Sequence, residues 1–167
     1  VQMVLCFLRL DSDFTDYVIK EYRVDDIIRP AVRRLAPQFI MKKLALEYEH
    51  TDEVALTDEK WLGFVVEQVL SNAVKYTSSG SISIKCDGDR LVISDTGIGI
   101  AAEDLPRIFD KGYTGFNGRA DRKASGIGLY LCRRICDNLG HSIKAESAPG
   151  HGTTIIIGLE RDKLEVE

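Results

Sequence analysis

The chain has little to build a covalent or metal-held scaffold. Its four cysteines (Cys6, Cys86, Cys132 and Cys136) form no C-x-x-C pair, and its three histidines (His50, His141 and His151) are scattered. That spacing excludes the usual zinc patterns. Cys132 and Cys136 stand one helical turn apart and read as buried thiols of a reducing compartment. No apolar run is long enough to span a bilayer. The opening VQMVLCFLRL is apolar but short, with neither a basic leader nor a cleavage site, so it does not read as a signal peptide. It reads better as the tail of a helix, cut from something longer. A basic excess is also missing. The formal net charge of −4 disfavours a broad nucleic-acid surface, while leaving room for a local site for a small anion. Internal repeats and low-complexity segments are absent.

What is present suits one domain. The 167 residues, 44% of them apolar, can bury a sizeable core. YVIKEYRV alternates as a strand, and DDIIRPAVRRLAPQFIMKK carries Ile27, Ile28, Val32, Leu35, Ala36, Phe39 and Ile40 at helical spacing. Pro30 fits a first turn, and Pro37 should kink or break that helix. LALEYE is a short strand. Thr57 offers an N-cap to a helix over 58–77, with Asp58 and Glu59 in its first turn. Leu62, Val65, Val66, Val69, Leu70, Ala73 and Tyr76 form its apolar stripe. SISIKC and RLVIS join through DGD as a hairpin. SGIGLYLCRRICDNLG is a helix with Gly140 as its stop, and HSIKAES and TTIIIGLE pair across APGHG. This order predicts an α+β fold, with helices on one face of a mixed, mostly antiparallel sheet. The connection over 97–124 is too long for a plain loop in a compact domain.

Three stretches carry chemistry. Gln68, Asn72 and Lys75 share a helix face beside the apolar stripe, an arrangement that suits a metal ion and phosphate oxygens. Taken singly, it also fits a solvated helix edge. In SDTGIGI, Leu91, Ile93 and Asp95 point to one side of their strand, so a core-facing Leu91 and Ile93 turn Asp95 inward. A buried carboxylate needs donors, and the exocyclic amine of adenine is one. Gly97 and Gly99 let the backbone approach a flat ligand and hinge a loop. SGIGLYL opens a helix N-terminus through glycines, where free N–H groups favour an anion. Between these stretches, Lys111, Arg119, Arg122 and Lys123 stand against Asp110 and Asp121 as a possible phosphate lid.

In this order, N-A-x-K-Y on a helix, D-x-G-x-G after a strand, RIFDKGYTG and S-G-I-G-L resemble the ATP-binding catalytic domain of sensor histidine kinases. That domain shares a superfamily, the GHKL or Bergerat ATPases, with gyrase, Hsp90 and MutL. The resemblance covers about residues 20–160. IFDKGYTGFNGR and ASGIGLYLC look most like the membrane-associated kinases of Gram-positive bacteria that sense antimicrobial peptides.

The resemblance implies a two-layer α/β sandwich with a long ATP lid. Residues 16–162 would form the catalytic domain, 1–15 the tail of a dimerisation helix and linker, and 163–167 a tail. It implies ATP and Mg2+ as ligands. Asp95 would bind the adenine amine, Gly97, Gly99 and Ile100 would border the nucleotide, and Asn72, with Gln68, would hold magnesium. Lys75 and Tyr76 would sit near the phosphates and ribose, and Thr153 would line the adenine pocket. Phe109, Lys111, Gly112 and Tyr113 would belong to the lid, and Ser125, Gly126, Ile127, Gly128 and Leu129 to the phosphate-facing helix start. Many family members carry asparagine where this chain has Gln68, and Glu67 on an ideal helix points away from the Asn72 face. None of the three histidines has the phosphoacceptor context. The resemblance therefore implies phosphoryl transfer to a histidine on a dimerisation domain of the parent kinase, with a cognate response regulator downstream. It implies a cytoplasmic piece of a membrane-anchored protein that itself touches neither membrane nor nucleic acid. A stand-alone ATPase or serine kinase of the superfamily, and a nucleotide-binding regulatory (pseudokinase) module, are the alternatives.

Overall fold

The computed structural model describes residues 17–113 and 127–161. Five strands form the main sheet in the order β2–β4–β5–β7–β6: β2 (Ala45–Tyr48), β4 (Ser81–Asp87), β5 (Arg90–Asp95), β7 (Thr153–Gly158) and β6 (Ser142–Ser147). Only β2 and β4 run parallel. The mixed, mostly antiparallel sheet is as the sequence predicts. The helices α1 (Val24–Lys42), α2 (Glu59–Tyr76) and α3 (Gly128–Leu139) give the second layer of an α+β sandwich.

Alternation along the strands decides the faces. Ile82, Ile84, Leu91, Ile93, Ile143, Ile155 and Ile157 turn inward and are buried. Ser83, Lys85, Ser94, Lys144 and Glu146 lie on the opposite face, which can therefore meet water. On α2, Leu62, Val65, Val66, Val69 and Leu70 are at most 2% exposed. Each such burial contributes about 1.5–3 kcal/mol. Cys132 and Cys136 are buried on α3, and burial pushes the Cys136 thiol up to about 12, which keeps it neutral.

Four expectations need correction. A further strand, β3 (Val54–Thr57), pairs antiparallel with β1 (Lys20–Arg23) as a separate two-stranded sheet. Thr57 ends that strand, and the cap of α2 is Asp58, whose carboxylate accepts the Trp61 amide at 3.0 Å. The strand read over YVIKEYRV is shorter, because Val24 already starts α1. Finally, α1 runs through both prolines, and Pro30 lies in its second turn rather than its first. Pro30 and Pro37 are seven residues apart and exposed, so the carbonyls they leave unpaired lie on the solvent side. Ile27, Ile28, Ala31, Leu35 and Phe39 hold the other side in the core. Residues 1–15 and 163–167 lie outside the described residues, as does the centre of the expected lid.

Candidate functional site

The site is built where β5 ends and β7 begins, beside the C-terminus of α2. Asp95 closes β5 opposite Thr153, the first residue of β7. Because Leu91 and Ile93 face the core, Asp95 turns inward too, and it is half-buried. Its Oδ1 accepts the Gly97 amide at 2.9 Å and the Thr153 amide at 3.2 Å. No described residue donates to Oδ2. Burial pushes the carboxyl up from its ordinary value, against the two amide bonds that pull it down. An acceptor that is partly desolvated and lacks a second set of donors is suited to a ligand N–H.

The two glycines after it are set by close approach. A Cβ on Gly97 would stand 2.3 Å from the Tyr76 carbonyl oxygen. Gly99 has φ +74°, and a Cβ there would stand 2.0 Å from the Ala148 carbonyl oxygen. The chain between them is stitched down on both sides: the Ile98 amide donates to Tyr76 at 3.1 Å, and Gly150 donates to Ile98 at 2.8 Å. The Ile100 amide donates to Ser147 Oγ at 2.8 Å. These glycines thus seat the loop root against α2 and the β6–β7 turn.

Gln68, Asn72 and Lys75 follow one another along α2 at i, i+4 and i+7, on one helix face. Asn72 is half-buried, and its amide has no hydrogen bond to a described residue. Gln68 Oε1 lies 3.1 Å from the point where a Cβ on Gly128 would stand, so the Gln68 amide faces the first turn of α3. Glu67 turns the other way and pairs with Arg34 of α1 at 2.8 Å. Lys75 is exposed, its Nζ 5.3 Å from the centre of the Tyr76 ring. At the C-terminus of α2, Lys42 Nζ donates to the Val74 carbonyl and, at 3.4 Å, to that of Lys75, which caps the helix.

The remaining expected residues are spread along the connection and α3. Phe109 packs against the core with the Arg133 guanidinium 5.5 Å from its ring. Lys111 and Gly112 are exposed, and Lys111 Nζ stands 6.0 Å from the Tyr130 ring. Tyr113 is hydrogen-bonded to Asp104 and lies under Arg107. Ile127 precedes α3, and Gly128 and Leu129 begin it. Ser125 and Gly126 lie outside the described residues. Two residues enter that the motifs did not mark. Thr77 Oγ1 is fully buried with no hydrogen bond to a described residue and would stand 2.8 Å from a Cβ on Gly97. Ser147 bonds to both Ile100 and Thr153. The register of β6 against β7, which pairs Ser147 with Thr153, is the signal that could have found Ser147.

Residues 57–163 match the family described as histidine kinase-, DNA gyrase B-, and HSP90-like ATPases, and the chain belongs to that family. It is 35% identical over 162 residues to the sensor histidine kinase YxdK of Bacillus subtilis, covering 93% of this chain and 50% of that protein. It is 40% identical over 120 residues to the sensor protein kinase GraS of Staphylococcus aureus, covering 68% of this chain and 35% of that protein. The chain thus spans about half or less of the length of these curated relatives. The fold matches full-length ShkA in complex with AMPPNP at a TM-score of 0.76 and 21% identity, over 98% of this chain and 36% of that one. It also matches the nucleotide-free catalytic domain of histidine kinase ThkA at 0.73 and 22%, over 85% and 97% of the two chains. Among the described residues, no helix is long and apolar enough to cross a membrane.

Proposed function

We propose that this chain binds ATP with magnesium and presents the γ-phosphate to a histidine on a dimerisation domain outside it. It would be the catalytic half of a two-component sensor histidine kinase, with a response regulator as the final acceptor. The observation that carries this reading is the Asp95 carboxylate, fixed through Oδ1 by two amides, with Oδ2 open to an adenine amine. The name of one fold neighbour, a complex with AMPPNP, points the same way.

The residues fit the metal as well as the base. Among the described residues no cluster of three or more His, Cys, Asp or Glu could cage a cation. Magnesium held mainly by substrate phosphates needs only one or two protein oxygens. The Asn72 amide, with no described partner, offers one of them, and Gln68 stands one turn away. Bound there, the ion would neutralise phosphate charge.

Lys75 would add a cation near the phosphates, and the amides at the start of α3 would receive oxygens. Asp95, Thr153, Gly97, Gly99 and Ile100 would orient the base, and Tyr76 would flank the ribose. Phe109, Lys111, Gly112 and Tyr113 would border the nucleotide from the connection, and Ser125 with Gly126 would extend the phosphate-facing turn. The imidazole nitrogen of the acceptor forms the new N–P bond as the bond to the β-phosphate oxygen breaks. ADP then leaves, and the imidazole proton passes to a base or to water on the acceptor side. The chain contributes positioning and charge rather than a nucleophile.

The superfamily alternatives, a free-standing ATPase or serine kinase, need a group that deprotonates water or a hydroxyl. Glu67 is engaged by Arg34 at 2.8 Å, and the Gln68 amide takes no proton. Slow turnover by the isolated chain follows, below about 1 per second. The test is to mix the chain and labelled ATP with a separate histidine-containing dimerisation domain. The expected product on that domain is acid-labile and base-stable. An acid-stable product, or fast ADP release without the domain, contradicts the reading, and nucleotide binding without any transfer indicates a regulatory module.

A further inference from the structure

Ser147, Thr153 and Asp95 stand side by side on three neighbouring strands, because Ser147 pairs with Thr153 and Thr153 with Asp95. They form a polar row at the end of the sheet's inner face. The Ser147 hydroxyl meets three groups at 2.8 Å: the Ile100 amide, the Gly152 carbonyl and Thr153 Oγ1. A hydroxyl has one proton and two lone pairs. The Gly152 carbonyl can only accept, so it takes the proton. The Ile100 N–H can only donate, so it takes one lone pair. The Thr153 hydroxyl must then donate into the other. With its proton committed to Ser147, Thr153 Oγ1 has only lone pairs to present to a ligand. Its backbone N–H is already committed to Asp95 Oδ1 at 3.2 Å.

We propose that Ser147 is a positioning residue that sets base specificity by holding Thr153 as an acceptor. The proposal rests on the adenine reading of Asp95 and deepens it. With Thr153 so held, both polar side chains at this end of the sheet offer acceptors, and the base must bring a donor. A 6-amino purine brings one. At that position a 6-oxo purine brings a carbonyl, which meets lone pairs with lone pairs, and its one edge donor, the N1–H, is displaced by one ring atom from where the 6-amino group donates. A bridging water does not rescue it. Such a water gives its two protons to Asp95 and Thr153 and turns its own lone pairs toward the base. Without Ser147, the Thr153 hydroxyl is free to rotate and donate, and the 6-oxo base is no longer excluded at that position.

The test is the ratio of ATP to inosine triphosphate affinity, measured by competition with a fluorescent nucleotide. Wild type is expected to favour ATP. Ser147→Ala should reduce the ratio about tenfold, the size of one ordinary hydrogen bond, and Ser147→Thr should keep it. Thr153→Val should reproduce the loss, and adding Ser147→Ala to it should move the ratio by no more than about twofold. Ser147→Ala also frees the Ile100 amide; Thr153→Val leaves the bond between Ile100 and Ser147 in place and so separates that effect from the one on Thr153. A ratio unmoved by Ser147→Ala, or both nucleotides weakened alike, overturns the proposal. If Ser147→Ala does not fold, an unmoved ratio in Thr153→Val overturns it. Wild type that binds neither nucleotide overturns the adenine reading and this inference with it. Wild type that selects ATP while the variants leave selection intact overturns the inference alone.

Discussion

Asp95→Asn should weaken ATP binding and stabilise the empty protein at the same time. The substitution keeps an oxygen that can accept the Gly97 amide at 2.9 Å and the Thr153 amide at 3.2 Å. The other oxygen becomes an amide NH2. A donor then faces the adenine amine, where an ionised acceptor had faced it. Losing one hydrogen bond to a charged group costs about 1.5–3 kcal/mol, or about 10- to 150-fold in Kd. Stability moves the other way. Burial pushes the Asp95 carboxyl above its ordinary value, so ionisation is less favourable folded than unfolded. At neutral pH that charge destabilises the fold, and the neutral amide removes the penalty. The advantage of the variant should shrink as pH falls through the raised value, where wild-type Asp95 takes up its proton. Thermal melts without nucleotide, taken in steps from pH 7 downward, with fluorescent-nucleotide titration at pH 7, read both effects. ATP affinity within twofold of wild type would refute the adenine assignment. A less stable variant at pH 7 would refute the electrostatic reasoning.

Gly63→Ala tests α2 away from the site: a Cβ there meets nothing within 4 Å, so the change should stabilise by about 0.5–1 kcal/mol in urea unfolding. Gly97→Ala should do the opposite, because its Cβ would stand 2.3 Å from the Tyr76 carbonyl oxygen; about 1–3 kcal/mol of stability and nucleotide binding should both be lost. His141 is 5% exposed, with Nε2 on Thr57 Oγ1 at 2.9 Å and Nδ1 without a hydrogen-bond partner among the described residues. Burial, with the Arg161 charge, lowers its pKa to about 4, so the unfolded chain binds the proton first. Stability should fall as pH drops from about 6.5 toward 5, and His141→Gln should flatten that part of the profile.

The elements legible in the sequence were those whose pattern is local. The α2 stripe and the β4–β5 hairpin follow from apolar spacing and from the DGD turn, and Asp95 faces inward because Leu91 and Ile93 do. What was missed depends on partners far along the chain. VALT is four residues long and becomes β3 only by pairing with β1, more than thirty residues earlier. Pro37 is tolerated because its side of α1 faces water while Leu35 and Phe39 are anchored, a fact of packing rather than of composition. At the site, the motifs marked Asn72, Asp95, Gly97 and Thr153. Ser147 and Thr77 carry no motif, and only the β6–β7 register and the approach of Gly97 to the end of α2 reveal them.

The central claim is tested most directly by calorimetry of ATP binding to the wild-type chain, with and without magnesium. One site is expected, tighter with the ion, because Asn72 and the phosphates would share it. No binding under either condition, or equal affinity for ATP and a pyrimidine triphosphate, would contradict the account.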